Sequence, residues 1–362
     1  MKKIFSLTYK DNTYGGPHQV SNDFKNILDK EYFSVNNEYF SSKIFFNFFF
    51  NKTRLKKVIN EFDLIHIHMF FSVKSIIMLK IASQLGIPTV VSLHGNLNNW
   101  SLKRNYLRKR IFLLFFKKII KSISLIHFLN DTEKKEVSSS LDLSVQDSII
   151  LQNCIDFSKY KINRVKDSFF KVLFFGRMDS KKSVLELLDV ISIFKEKNIN
   201  NIKFLFVGPK VKDYYLKFLD KVKRLELENF IEVRDVIVDI DEKNRLFEEI
   251  DIFILPSKDE ADSISIKESL ASGKPVIISD KCKITAKPET DEFIKIIYDK
   301  APSSYYDEII KFYNNREQLI FLAPKIRLYG KNNFSMDIIR EQLPNIYHSC
   351  IDYSYVLNKI DE

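Results

Sequence analysis

Cysteine is nearly absent. Cys154, Cys282 and Cys350 are the only three, odd in number, far apart and in no metal-ligand spacing. A disulfide framework and a zinc site are thereby excluded, and all three are expected to be reduced thiols. Glycine is sparse too, with 8 in 362 residues, and there is neither a low-complexity tail nor a repeat at solenoid periods. Fibrous and array architectures drop out with them. No apolar run reaches the roughly 18 to 20 residues that span a bilayer. The start, MKKIFSLTYKD, has the basic lead of a signal peptide, but Lys10 and Asp11 close its apolar part too early. A first strand and cytoplasmic residence are expected instead. No helix-turn-helix, zinc-finger or RNP-like signature points to nucleic acid.

What is present is a globular composition, 45% apolar and 29% charged, in a chain long enough for two ordinary domains. The formal charge of +10 is unevenly placed: residues 1–150 hold 22 Lys and Arg against 12 Asp and Glu, and the rest is balanced at 35 each. Its densest part, Lys103 to Lys121, has eight basic residues and no acidic one, around the apolar run Ile111 to Phe116. Such a segment is either a helix with one buried face or a basic amphipathic surface for anionic lipid. Ile44 to Phe50, the most apolar segment, precedes the basic run Lys52 to Lys57. It reads as a buried element, with a patch dipping into a membrane surface as the alternative.

Short apolar runs alternating with helical patterns predict an α/β chain of two Rossmann-like halves. Residues 3–9 form a strand, and a loop with Gly15, Gly16 and Pro17 leads into a helix from about Val20. A diglycine lets backbone approach a ligand where any side chain would collide. In Asp63 to Met69, His66 and His68 share a face, and with no third ligand at metal spacing a structural or acceptor-side role is expected. Ile87 to Leu93 delivers His94 and Gly95 to a carboxyl strand end, the edge where ligands bind in such sheets. Residues 157–170 suit a linker. Beyond it, the strand Val172 to Phe175 runs into Gly176, Arg177 and, through a short turn, Lys182 and Ser183, with a helix from Val184 to Lys195. Arg177 can give an anion a forked contact and Lys182 a point charge.

The organising stretch is Asp251 to Cys282. It reads as the strand Ile252 to Leu255, a loop carrying Glu260, a helix capped by Asp262 or Ser263 that holds Ile264 and Glu268 and stops at Gly273, then the strand Val276 to Ile278. Glu260 and Glu268 have seven residues between them. With Pro256, Ser257, Ala271, Gly273, Pro275, Val276 and Ile277 they match the pattern PS-x-x-E-x7-E-x-x-A-x-G-x-P-V-I. The chain therefore resembles the retaining glycosyltransferases of family 4, glycosyl transferases group 1, with the GT-B fold. Gly176-Arg177 through Lys182 is similar to the family's Gly-Arg-x4-Lys-Gly, and Asn153 to Asp156 to its Asn-Gly-Val/Ile-Asp. Ala261 stands for the usual glycine, Asp262 for the usual aromatic, Ser269 for an alanine and Ser183 for a glycine.

The resemblance implies two Rossmann-like domains with a ligand cleft between them: residues 1–160 on the acceptor side, 161–333 for the nucleotide-sugar, and 334–362 as a helix crossing back to the first domain. It implies transfer with retention from a donor expected to be UDP-linked to a hydroxyl of a glycan or lipid-linked glycan, as in surface polysaccharide assembly. Glu260, His94, Arg177 and Lys182 are the implied catalytic positions. Gly15, Gly16, Arg177, Lys182, Ser263, Ile264 and Glu268 are the implied donor-binding ones, and residues 235–238 would loop over the base. No metal or other cofactor is expected, and no Asp-x-Asp motif sits where a metal would bridge a diphosphate. The partners expected are the nucleotide-sugar, the acceptor and, through 103–121, an anionic membrane surface on the inner face of the cytoplasmic membrane, with no nucleic acid. Two alternatives remain open: a sugar-nucleotide 2-epimerase, and a non-catalytic glycan-binding or scaffold protein on a decayed GT-B fold.

Overall fold

The computed structural model describes residues 1–8, 16–28, 33–39, 52–68, 70–103, 106–141, 147–165, 167–284 and 287–360. Its contacts divide the chain into two compact units, Met1–Cys154 with Asp337–Glu362, and Ile155–Met336. The apolar Ile44 to Phe50 lies outside the described residues.

The first unit holds a six-stranded parallel sheet of β1 (Lys2–Thr8), β2 (Phe33–Tyr39), β3 (Leu64–Ile67), β4 (Thr89–Ser92), β5 (Leu125–Phe128) and β6 (Ser148–Ile150), in the order β2-β1-β3-β4-β5-β6. Its central strands are apolar without alternation, as a sheet covered on both faces requires. Ile4, Leu7, Ile65, Ile67, Val91 and Phe128 are all buried. Helices α1 (Gly16–Leu28), α2 (Lys52–Ile59), α3 (Val73–Gln84), α4 (Asn99–Lys103), α5 (Tyr106–Ile119) and α6 (Asp131–Leu141) connect the strands. Helix α1 starts at Gly16, earlier than the apolar pattern from Val20 suggests.

The second unit repeats the plan with β7 (Phe170–Phe175), β8 (Ile202–Val207), β9 (Ile231–Arg234), β10 (Ile252–Leu255), β11 (Val276–Ser279) and β12 (Ile294–Ile297), ordered β12-β11-β10-β7-β8-β9 and parallel throughout. Its helices are α7 (Val184–Glu196), α8 (Lys212–Leu225), α9 (Ile240–Glu249), α10 (Ile264–Ala271), α11 (Pro302–Asn314) and α12 (Leu319–Phe334). Helix α13 (Met336–Ile360) belongs, from Asp337, to the first unit.

The unit boundary at Cys154 and Ile155 falls ahead of the linker expected at 157–170. Aromatic burial explains the difference: Phe157 and Tyr160 are core residues of the second unit, and Phe157 packs against the Cα of Gly330, where an added Cβ would meet its ring at 3.0 Å.

Strand order fixes where a ligand can sit. In the second unit, β7, β8 and β9 proceed to one side and β10, β11 and β12 to the other, so the order reverses between β7 and β10. At such a switch point the loops leaving the carboxyl strand ends diverge and open a crevice. In the first unit the reversal lies between β1 and β3.

Candidate active site

The two loops at the second unit's switch point carry Arg177 and Lys182 after β7 and Glu260 after β10. The strand-to-turn passage is tight: Gly208 has φ +140°, and a Cβ there would stand 2.3 Å from the Gly176 carbonyl oxygen. Asp179 shapes the turn that follows. Its carboxylate accepts from the Lys181 and Lys182 backbone N–H groups at 3.1 and 3.2 Å and from Arg177 Nε at 2.6 Å. Those turn N–H groups are thus taken by the protein itself. The Arg177 side chain remains half exposed. Ser183, where a glycine was the expectation, adopts φ 55° and ψ 36° at the start of α7. A serine therefore holds the left-handed conformation at a cost of about 1 to 2 kcal/mol.

Lys182 Nζ meets Glu260 Oε1 at 2.6 Å, and both side chains are largely buried. Burial pushes the Glu260 carboxyl upward, but the charges of Lys182 and Lys181 outweigh it and hold the carboxyl below its ordinary value. Glu260 is thus an ionised carboxylate with a fixed cation. Around the pair, Lys181 bridges to Asp259 at 3.0 Å, Lys258 N–H donates to the Lys181 carbonyl at 2.8 Å, and Glu260 N–H donates to the Lys281 carbonyl at 3.0 Å. The loops after β7 and β10 are therefore tied to each other by backbone as well as charge.

Ser263 caps α10 by position, without a side-chain bond to the helix backbone, and Ile264 is the first helical residue. One turn on, Glu268 is buried, and its Oε1 accepts from Tyr160 Oη at 2.9 Å and Lys243 Nζ at 2.7 Å. The structure does not bring Glu268 to Lys182; it gives each glutamate its own lysine. Asp262 is engaged by Lys267, whose fully buried ammonium lies 5.0 Å from the Phe334 ring centroid. The extra carboxylate at the aromatic position is thus neutralised within the protein. Beyond the edge strand β9, Arg234 to Ile237 and the α9 residues Glu242, Arg245, Leu246 and Glu249 line an open groove of about 390 Å³.

In the first unit, Gly15 lies outside the described residues and Gly16 opens α1 beyond the carboxyl end of β1. His94 follows β4 with φ 48°. Its loop is fixed by Glu133, a buried carboxylate that accepts from the Gly95 and Leu129 N–H groups, each at 2.6 Å. His68 Nδ1 and His94 Nε2 are 3.1 Å apart, and His66 and His68 lie on one face with centroids 3.8 Å apart. His66 Nε2 and His127 Nδ1 each meet Ser92 Oγ at 2.7 Å, His127 Nε2 meets the Leu151 carbonyl at 2.6 Å, and Tyr347 Oη meets His66 Nδ1. A carbonyl can only accept, so His127 carries its proton on Nε2. That polarity runs back through the chain: Ser92 donates to His127, His66 donates to Ser92, and Tyr347 donates to His66. Burial lowers all four histidines, His94 to about 3 and His127 to about 4, with the charge of neighbouring histidines adding to it for His66, His68 and His94. Among the described residues no three His, Cys, Asp or Glu side chains are arranged to hold a metal.

With the geometry in hand, the family models match in two adjoining pieces: Glycosyltransferase Family 4 over residues 18–159 and Glycosyl transferases group 1 over residues 157–326. The chain belongs to the family 4 glycosyltransferases, group 1. The glycosyltransferase fold is that of solved GT-B enzymes. Anabaena Alr3699/HepE, solved with UDP-glucose, is 15% identical, covering 96% of this chain and 100% of its own, with TM-score 0.77. Sucrose-phosphate synthase of Thermosynechococcus elongatus is 14% identical over 98% and 100%, with TM-score 0.78. WaaG, a glycosyltransferase involved in lipopolysaccharide biosynthesis, is 13% identical over 95% and 99%, with TM-score 0.73. No curated protein matches the chain in sequence.

Sequence reasoning on this glycosyltransferase missed Asp179, Glu133, Tyr160 and Lys243. Asn130-x-x-Glu133 has the form of a capping box, which could have marked Glu133. Nothing local marks Lys243 or Tyr160, which reach Glu268 from distant parts of the chain.

Proposed function

We propose that the protein transfers a sugar from a UDP-linked donor to a hydroxyl of a glycan or lipid-linked glycan, with retention at the anomeric carbon. The observation that carries this reading is the buried Lys182–Glu260 pair, 2.6 Å apart at the switch point of the second sheet, beside the half-exposed Arg177. A departing nucleoside diphosphate gathers negative charge, and a cation already fixed in place stabilises it without reorganisation. Arg177 and Lys182 take that role, Glu260 accepts from donor-sugar hydroxyls, and Glu268, oriented by Tyr160 and Lys243, accepts from the ribose. The groove beside Asp235 to Ile237 takes the base. HepE, a structural neighbour, was solved with UDP-glucose, which favours a donor of that class. His94 and Gly16 serve the acceptor. Ser183 argues against a decayed scaffold, since it keeps the left-handed backbone that the turn requires.

The acceptor side of the reading rests on α5. Leu107, Ile111, Leu114 and Phe115, spaced along one helix face, are 57 to 73% exposed, and Arg108, Arg110, Lys117, Lys118 and Lys121 are exposed around them. An exposed apolar stripe bordered by cations fits an anionic lipid surface, to which each basic residue contributes about 1 kcal/mol. Among the described residues no helix is long and apolar enough to cross a membrane. Incubating the enzyme with radiolabelled UDP-sugars and bacterial lipid extract tests the reading. Label should enter the lipid fraction and should not with Lys182→Met. Label-free lipid with every UDP-sugar would count against it.

A further inference from the structure

We propose a second binding site in the Ile155–Met336 unit, for a small oxyanion, in the cavity at the amino edge of its sheet, with Lys274, Arg164 and Ser272 as the binding side chains. The cavity encloses about 220 Å³ between the chain entering β10, the turn Ser272 to Pro275 that enters β11, residues 162–164 and the first turns of α12. That is ample for a small oxyanion, since about 10 to 15 Å³ on this measure already admits a water. It lies at the end of the sheet opposite Arg177, Lys182 and Glu260, a four-residue strand or about 13 Å away.

Its charge is not balanced from within. Asp251 is the buried carboxylate of the site, and both its oxygens are occupied: Oδ1 accepts from Arg164 and Arg316 at 2.6 and 3.0 Å, Oδ2 from Arg316 and the Lys171 N–H at 2.9 and 2.8 Å. Glu248, further out, accepts from Asn163 Nδ2 at 3.0 Å. Lys274, only 6% exposed, donates to the carbonyls of Ile250 and Asn163 at 2.8 and 3.3 Å, and its third proton has no partner among the described residues. Beside it the Ser272 hydroxyl is fully buried without a hydrogen bond. A buried ammonium with a spare proton, an unpaired hydroxyl and one arginine on a common cavity form a donor set for an anion. Burial also pushes the Lys274 ammonium down to about 8, with Asp251 and Glu248 acting against this and Arg164 with it. A bound anion would pull it back up.

The site has a direct connection to the switch point. Ser272 N–H donates to the Glu268 carbonyl at 3.0 Å at the end of α10, whose other end is the Ser263 loop.

Inorganic phosphate is the probe, titrated calorimetrically into the full chain at pH 8, at ionic strength held with sodium chloride, in two buffers of different ionisation heat. Saturable binding is expected at millimolar phosphate, with uptake of about half a proton per phosphate as Lys274 recharges. Acetate in a parallel arm separates a carboxylate ligand from a phosphate one. Lys274→Met should abolish binding, but it strips a donor from two carbonyls and can unfold. Ser272→Ala removes a hydroxyl that no group uses, and Ile320→Glu places a negative charge on a half-exposed wall residue. Both should fold by circular dichroism and weaken phosphate binding severalfold or more. No saturable binding of either oxyanion, or unchanged affinity in both folded variants, would overturn the site.

Discussion

Removing Lys182 should do two separable things. The Lys182 side chain is 15% exposed and that of its partner Glu260 10%, at 2.6 Å, so the pair sits between a surface bridge and a fully buried one. Breaking a fully buried pair by deleting one member costs about 3 to 5 kcal/mol; allowing for residual solvent, Lys182→Met should cost about 2 to 3 kcal/mol. The loss should depend on pH in a predictable direction. In the wild type the Glu260 carboxyl is held below its ordinary value against its burial. Its stabilisation is present above about pH 4.5 and lost as the pH falls through the folded value. Without Lys182 the burial penalty prevails and the folded carboxyl rises above the unfolded one. The variant's stability is then greatest when Glu260 is protonated and declines as pH rises. The deficit relative to wild type should therefore shrink between pH 7.5 and pH 5. Urea unfolding across that range measures it, and the double variant Lys182→Met with Glu260→Gln should recover about 1 to 2 kcal/mol as coupling. Donor turnover in Lys182→Met should fall about 100- to 1,000-fold. Additive single effects with a pH-independent deficit would refute the pairing.

Acid should weaken the first unit. Its four buried histidines stay neutral while the unfolded chain takes up protons below about pH 6.5. Stability should then fall by about 1.4 kcal/mol per histidine per pH unit until the folded values, about 4 for His127 and about 3 for His94, are reached. A melting temperature flat from pH 7 to pH 4.5 would contradict this. Gly208→Ala should destabilise the second unit by about 3 kcal/mol or more, because a Cβ 2.3 Å from the Gly176 oxygen cannot be accommodated at φ +140°; a urea midpoint near wild type would show that the turn yields. Replacing Lys117, Lys118 and Lys121 with glutamate should abolish sedimentation with vesicles containing phosphatidylserine and leave binding to neutral vesicles unchanged.

Much of the second unit was legible because its strands are buried on both faces. Ile252–Leu255 is a continuous apolar run bounded by Pro256 and occupies the predicted residues, and Phe204–Val207, bounded by Gly208, is a run of the same kind. Strand β2, FSVNNEY, carries a polar edge-strand pattern with no apolar run and was not predictable from periodicity. Helix α9 carries little apolar signal in its first half, IDEKN, which follows the capping Asp239. Within the candidate site, the charged groups close in sequence, Arg177 with Lys182 and Glu260 with Glu268, were visible as motifs. The partners that orient them were not: Lys243 and Tyr160 reach Glu268 across 25 and 108 residues, and Tyr347 reaches His66 across 281. Such pairings depend on the order of strands in the sheet, which spacing along the chain does not encode.

The central claim is that the second unit holds a nucleoside diphosphate sugar between Arg177, Lys182 and Glu260. Saturation-transfer NMR with UDP-glucose, UDP-galactose and UDP-N-acetylglucosamine tests it directly, with Arg177→Ala and Glu260→Ala as controls. The account predicts transfer to uracil, ribose and sugar protons of at least one donor, lost with Arg177→Ala and confined to the nucleoside with Glu260→Ala. Folded protein that gives no transfer to any donor, or equal transfer in both variants, would contradict it.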